Sequence, residues 1–150
     1  MDNPIHQPTI DDVALYVKEP VGALEVGSLK ELRSRATVGD GLEHDHVPSA
    51  AAILKAAELR LGRTLTREEA KELYENATAI EMPRHIHVNG RTYGGKNTQD
   101  QISSDAKDLC GAQCLDLEQH RINFEKDGYS QEEILRALQA VKDRNSQIIK

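Results

Sequence analysis

Apolar residues recur three and four positions apart over most of the chain, and only two short stretches depart from that period. Ala50, Ile53, Leu54, Ala57 and Leu61 predict a helix over residues 49–61, capped by Ser49 and ended at Gly62. Thr66 with Glu69 has capping-box spacing and opens a helix bearing Ala70, Leu73 and Tyr74. Ser28 with Glu31 does the same for a short helix reaching Ala36. Ile102, Ala106, Leu109, Cys110, Gln113 and Leu117 predict one helix over residues 98–124, closed by Asp127-Gly128. Ser130 with Glu133 opens a last amphipathic helix within residues 130–149, with Ile134, Leu138 and Val141 on one stripe. A short helix is expected over residues 9–17, ended by Pro20, and residues 1–8, with two prolines and no periodicity, read as a loose arm.

The exceptions to the helical period are residues 42–47, entered through Gly39-Asp40-Gly41, and residues 77–82, which alternate and stop at Pro83. They predict a two-stranded element among helices, so the expected class is α+β, mostly helical. Glycines at 90, 94 and 95 mark an irregular loop after the second strand.

Composition sharpens this outline. A chain of 150 residues suits one domain, and with no Trp and one Phe its core must come from Leu, Ile, Val and Ala. No apolar run approaches the roughly 18 residues that cross a bilayer, and the start lacks the basic and apolar regions of a signal peptide. Cys110 and Cys114 are expected as buried thiols on one helix, in preference to a metal or redox pair. A net charge of -6 opposes a broad phosphate-binding surface, yet residues 84–96 carry three basic side chains and no acid.

That basic stretch includes half of the chain's most suggestive chemistry. Four of six histidines fall in Glu43-His44-Asp45-His46-Val47-Pro48 and His85-Ile86-His87. Imidazole titrates near neutrality and ligates divalent metals, so two such clusters around an acid suggest metal-assisted hydrolysis. His6 and His120 are read instead as solvated or hydrogen-bonded surface residues. One geometric condition attaches: in a regular strand Asp45 points away from the face shared by His44 and His46, so joint use of Asp45 and His46 needs a bulge.

Residues 39–49, then Asn76-Ala77-Thr78-Ala79-Ile80, then His87 and Arg91-Thr92-Tyr93-Gly94-Gly95-Lys96-Asn97 resemble the nuclease domains at the C-terminal tips of bacterial polymorphic toxins, of the HNH or His-Me finger type. The resemblance spans residues 28–110, and Asp45-His46-Val47-Pro48 is its strongest element. It implies a β-hairpin and helix (a ββα metal finger) around one divalent ion, Mg²⁺, Mn²⁺ or Zn²⁺. It implies His46 as general base, Asn76 as the middle residue of the motif, Asp45 as metal ligand, and His87 or alternatively His85 as the distal ligand. Arg91, Lys96 and His44 are expected to contact substrate, with DNA preferred over RNA. A cognate immunity protein and delivery as a secreted effector into the cytoplasm of a target cell follow from the same resemblance. The long spacing between His46 and Asn76 departs from the simple pattern, and the CxxC pairs that hold a structural zinc in some members are missing. Two rival readings are a non-catalytic helical module that binds nucleic acid or protein, with a structural ion or none, and a hydrolase of phosphoesters outside nucleic acid.

Overall fold

The computed structural model describes residues 19–149, so the arm, the helix expected over residues 9–17 and His6 lie outside the described residues. Strand β1 (Val26–Ser28) runs directly into α1 (Leu29–Ser34), where the Ser28 hydroxyl accepts from the Glu31 backbone N–H at 3.0 Å. Gly39 and Gly41, at φ 82° and 77°, then turn the chain into β2 (Leu42–His46); such positive angles favour glycine over residues with a Cβ.

Two helices follow before the next strand. Ser49 caps α2 (Ala50–Leu61), which ends on left-handed Gly62, and the capping box of Thr66 and Glu69 opens α3 (Arg67–Asn76). Strand β3 (Thr78–Pro83) leads straight into the short α4 (Arg84–Val88). After a loop that includes a tight helical turn at Gly94–Lys96 come α5 (Gln99–Lys107), α6 (Leu109–Lys126) and α7 (Gln131–Asn145).

The expected single helix over residues 98–124 is therefore two. Asp108 leaves helical geometry at φ -149° and ψ 76°, and its carboxylate accepts from the Gly111 backbone N–H at 2.9 Å, which caps α6. Short polar side chains compete with the helix for backbone donors in this way, and here the competition redirects the chain.

The three strands form an antiparallel sheet in the order β1-β3-β2. Strands β2 and β3 with α4 make the expected strand-strand-helix unit, and α2 and α3 are carried in the connection between its strands. The third strand, β1, was not signalled by the apolar pattern. On one sheet face Val47, Ile80 and Met82 pack with Ile86, Leu117, Phe124 and the α7 stripe Ile134, Leu138 and Val141. On the other, Ala79 meets Val21, Leu29 and Leu32. Asn145, buried at the end of α7, donates to the Val47 carbonyl at 2.8 Å and pins the last helix to the end of β2.

Cys110 and Cys114 are exposed, against expectation. The buried stripe of α6 is Ala112, Asp116, Leu117, His120 and Phe124, and two cysteines four residues apart share a different stripe. Among the described residues no helix is long and apolar enough to cross a membrane.

Candidate functional site

Strand alternation sorts the first histidine cluster. β2 pairs with β3 in unbroken register from Leu42 opposite Pro83 to His46 opposite Ala79, without the bulge that joint use of Asp45 and His46 would need. Glu43 and Asp45 face inward with Met82 and Ile80; His44 and His46 face the opposite side with Glu81 and Ala79.

The inward face holds a connected polar site. Asp45 is buried, and its Oδ1 lies 3.2 Å from His87 Nε2 while its Oδ2 accepts from His120 Nε2 at 2.7 Å. His87 Nδ1 donates in turn to Glu43 Oε1 at 2.6 Å, and Arg84 Nη1 donates to Glu43 Oε2 at 2.6 Å. The Tyr93 ring stands edge-on to His87 with centroids 4.9 Å apart. Behind this group Arg91 is clamped between two buried acids: Nη2 and Nη1 donate to the Asp105 carboxylate at 2.8 and 3.3 Å, and Nε to Asp116 Oδ1 at 2.8 Å.

Electrostatics follow from these contacts. Burial opposes a charge on Asp45, but hydrogen bonds from His120 and His87 outweigh it and bring the carboxyl down to about 2. The hydrogen bond to Asp45, reinforced by that to Glu43, raises His87 above its ordinary value. Burial pushes Asp116 up to about 6 in spite of Arg91.

The residues singled out in the sequence divide cleanly. Asp45 and His87 meet. His85, two positions earlier on α4, points elsewhere and reaches Asp127 Oδ1 at 2.8 Å. His46 Nε2 donates to the Tyr74 carbonyl at 3.0 Å and its ring packs on Tyr74, on the face away from Asp45; burial lowers its pKa. His44 bonds to buried Glu81 on that same outer face. Exposed Asn76 turns back along α3 to the Glu72 carbonyl at 2.9 Å and does not approach Asp45. Arg91 is used internally, and Lys96 Nζ donates to the Val88 and Gly90 carbonyls at 3.0 and 3.3 Å, so neither extends toward a ligand in this conformation.

Sequence reading missed Glu43, Asp105, Asp116 and His120 as members of the site. Glu43 was findable, since alternation places it on the face of Asp45. Asp116 and His120 stand four apart on the buried stripe of α6, a polar pair in a position that apolar side chains normally take.

The fit of a divalent ion is tested by this donor set. Two ligands about 2.1 Å from one octahedral ion stand about 3 Å apart, close to the 3.2 Å between Asp45 Oδ1 and His87 Nε2. His87 also has the carboxylate on its other nitrogen that fixes the tautomer of metal-binding imidazoles. Among the described residues no three His, Cys, Asp or Glu side chains stand ready as a ligand set. Two protein donors completed by water or phosphate oxygens suit Mg²⁺ or Mn²⁺, whereas a catalytic zinc takes three protein ligands.

Fold and site thus define a small mixed domain with a carboxylate-imidazole centre between a sheet and a helix. Over 130 residues the chain is 53% identical to part of the protein named Deoxyribonuclease CdiA from Dickeya dadantii strain 3937, a match covering 87% of this chain and 4% of that protein. No family model matches the chain, and no solved structure matches it.

Proposed function

We propose that this chain is a metal-dependent endonuclease domain of an antibacterial toxin that hydrolyses phosphodiester bonds of DNA. The observation that carries the reading is the meeting of Asp45 Oδ1 and His87 Nε2 on one face, with Glu43 orienting the imidazole. The deoxyribonuclease name of the CdiA relative supports DNA over RNA. Asp45 and His87 hold one Mg²⁺ or Mn²⁺ ion. Such an ion neutralises charge that builds on the phosphate and lowers the pKa of coordinated water. Because His87 must give up its Nε2 proton to become a ligand, metal affinity falls as pH falls through the raised pKa of this residue. Arg84, with a side chain 65% exposed beside Glu43, is the cation at the rim for a phosphate contact. A cognate immunity protein, and action inside a recipient cell, belong to the same reading.

In this reading the motif histidine His46 stays outside the site, because regular pairing commits it to Tyr74. Supercoiled plasmid incubated with purified chain and Mg²⁺ or Mn²⁺ tests both points. The wild type is expected to nick and linearise DNA, EDTA to stop it, and His46→Ala to retain metal affinity and cut within a few-fold of wild type. Folded wild-type protein inert with every divalent ion would end the nuclease reading. If His46→Ala binds metal normally yet cuts on the order of 100-fold more slowly, His46 is the general base and β2 must rearrange on binding DNA.

A further inference from the structure

His120 has no role in the motif, yet it reaches across 75 positions of sequence to the central carboxylate. The residue is 2% exposed, and Asp45 is its hydrogen-bond partner, while Nδ1 is buried with none. A core histidine that leaves a polar atom unsatisfied is a poor choice for packing alone, since an apolar side chain would fill the volume without that penalty. The ring is also closely seated. A Cβ at Gly90 would come within 3.4 Å of His120 Cε1 and 3.1 Å of the His87 carbonyl, so the bare glycine lets the end of α4 close onto α6.

The two bonds to Asp45 are unequal. Oδ2 accepts from His120 at 2.7 Å, the length of a strong charge-assisted bond, whereas Oδ1 stands 3.2 Å from His87. The firm contact holds one oxygen and leaves the other with the weaker, more easily displaced partner. Resting on the metal-dependent reading above, we infer that His120 is a positioning residue. Its Nε2–H anchors Asp45 Oδ2 and thereby presents Oδ1 to a divalent ion shared with His87. Without that anchor the carboxylate turns between alternatives and the ion loses a preset ligand.

Calorimetric titration of Mn²⁺ into the full chain tests this, with circular dichroism and thermal melting to establish folding. His120→Leu is expected to weaken Mn²⁺ binding about 10- to 100-fold, the usual effect of losing the partner of a ligand. His120→Gln, whose amide nitrogen lies where Nε2 does, is expected to restore affinity close to wild type. Should His120→Leu not fold, His120→Asn, with an amide too short to reach Oδ2, takes its place and carries the same expected loss. A folded Leu or Asn variant with wild-type affinity overturns the inference, as does a folded Gln variant as weak as the Leu or Asn variant. Wild-type protein that does not bind Mn²⁺ overturns the metal-dependent reading and this inference together, an outcome distinct from the other two.

Discussion

Asp45→Asn is expected to lower Mg²⁺ or Mn²⁺ affinity by more than about 100-fold and to reduce DNA cleavage in proportion, because partners one step removed from a metal are already worth about 10- to 100-fold. The substitution keeps the size of the side chain and removes its charge, so the loss reports electrostatics more than packing. A second signature needs no metal. With the carboxyl brought from 3.8 to about 2 in the folded protein, Asp45 contributes stability that is present above its unfolded value and is lost as pH falls toward 2. That contribution is roughly 2 kcal/mol at neutral pH. The Asn variant should be less stable at pH 7 and show a flatter acid dependence between pH 4 and 2, measured by urea unfolding across that range. Unchanged acid dependence would mean that Asp45 is not held as a carboxylate by its two histidines.

The largest effect on stability alone is expected at Arg91. Arg91→Met keeps the apolar stem but leaves Asp105 and Asp116, respectively 6% and 3% exposed, facing each other without a cation. Breaking a buried pair from one side costs about 3–5 kcal/mol, which at this chain length lowers the melting temperature by roughly 10 °C. The sign with pH is fixed by Asp116. Its folded pKa of about 6 lies above 3.8, so the folded state binds the extra proton and wild-type stability falls as pH rises from 3.8 to 6. Without Arg91 this carboxyl moves higher still, so the deficit of the variant should be greatest at pH 8 and much smaller at pH 5. Thermal melts at those two values decide it, and equal deficits at both would rule out an electrostatic origin. If Arg91 instead contacts phosphate in the complex, the variant should also lose about one unit of salt dependence in DNA binding; the internal clamp predicts an unchanged slope.

Helix starts were legible because Ser28, Ser49, Thr66 and Ser130 each place a side-chain oxygen where it accepts from the backbone N–H three residues on. Strand β2 was legible as a short stretch between the Gly39-Asp40-Gly41 turn and Pro48, and β3 from alternation that stops at Pro83. β1 was not, since three residues containing Gly27 carry too little pattern, and their pairing with β3 depends on a partner some fifty positions away. The break at Asp108 was hidden because the helical period continues across it, and a cap residue reads as an ordinary polar position. Within the site, Asp45 and His87 were singled out through the resemblance to toxin nuclease domains, and the fold brings the two side chains to 3.2 Å. His120 was lost because an isolated histidine carries no local signal, and its meaning comes wholly from the tertiary contact with Asp45. The alternation rule had already set Asp45 and His46 on opposite faces, and the regular β2–β3 register kept them there.

The position of a divalent ion decides whether Asp45 and His87 are its ligands. A crystal structure of the full chain with Mn²⁺, read from anomalous scattering at the manganese edge, is expected to place the ion between Asp45 Oδ1 and His87 Nε2, with Glu43 still on His87 Nδ1. An ion found instead on the outer face of β2, beside His44 and His46, or no ion at saturating Mn²⁺, would contradict that assignment.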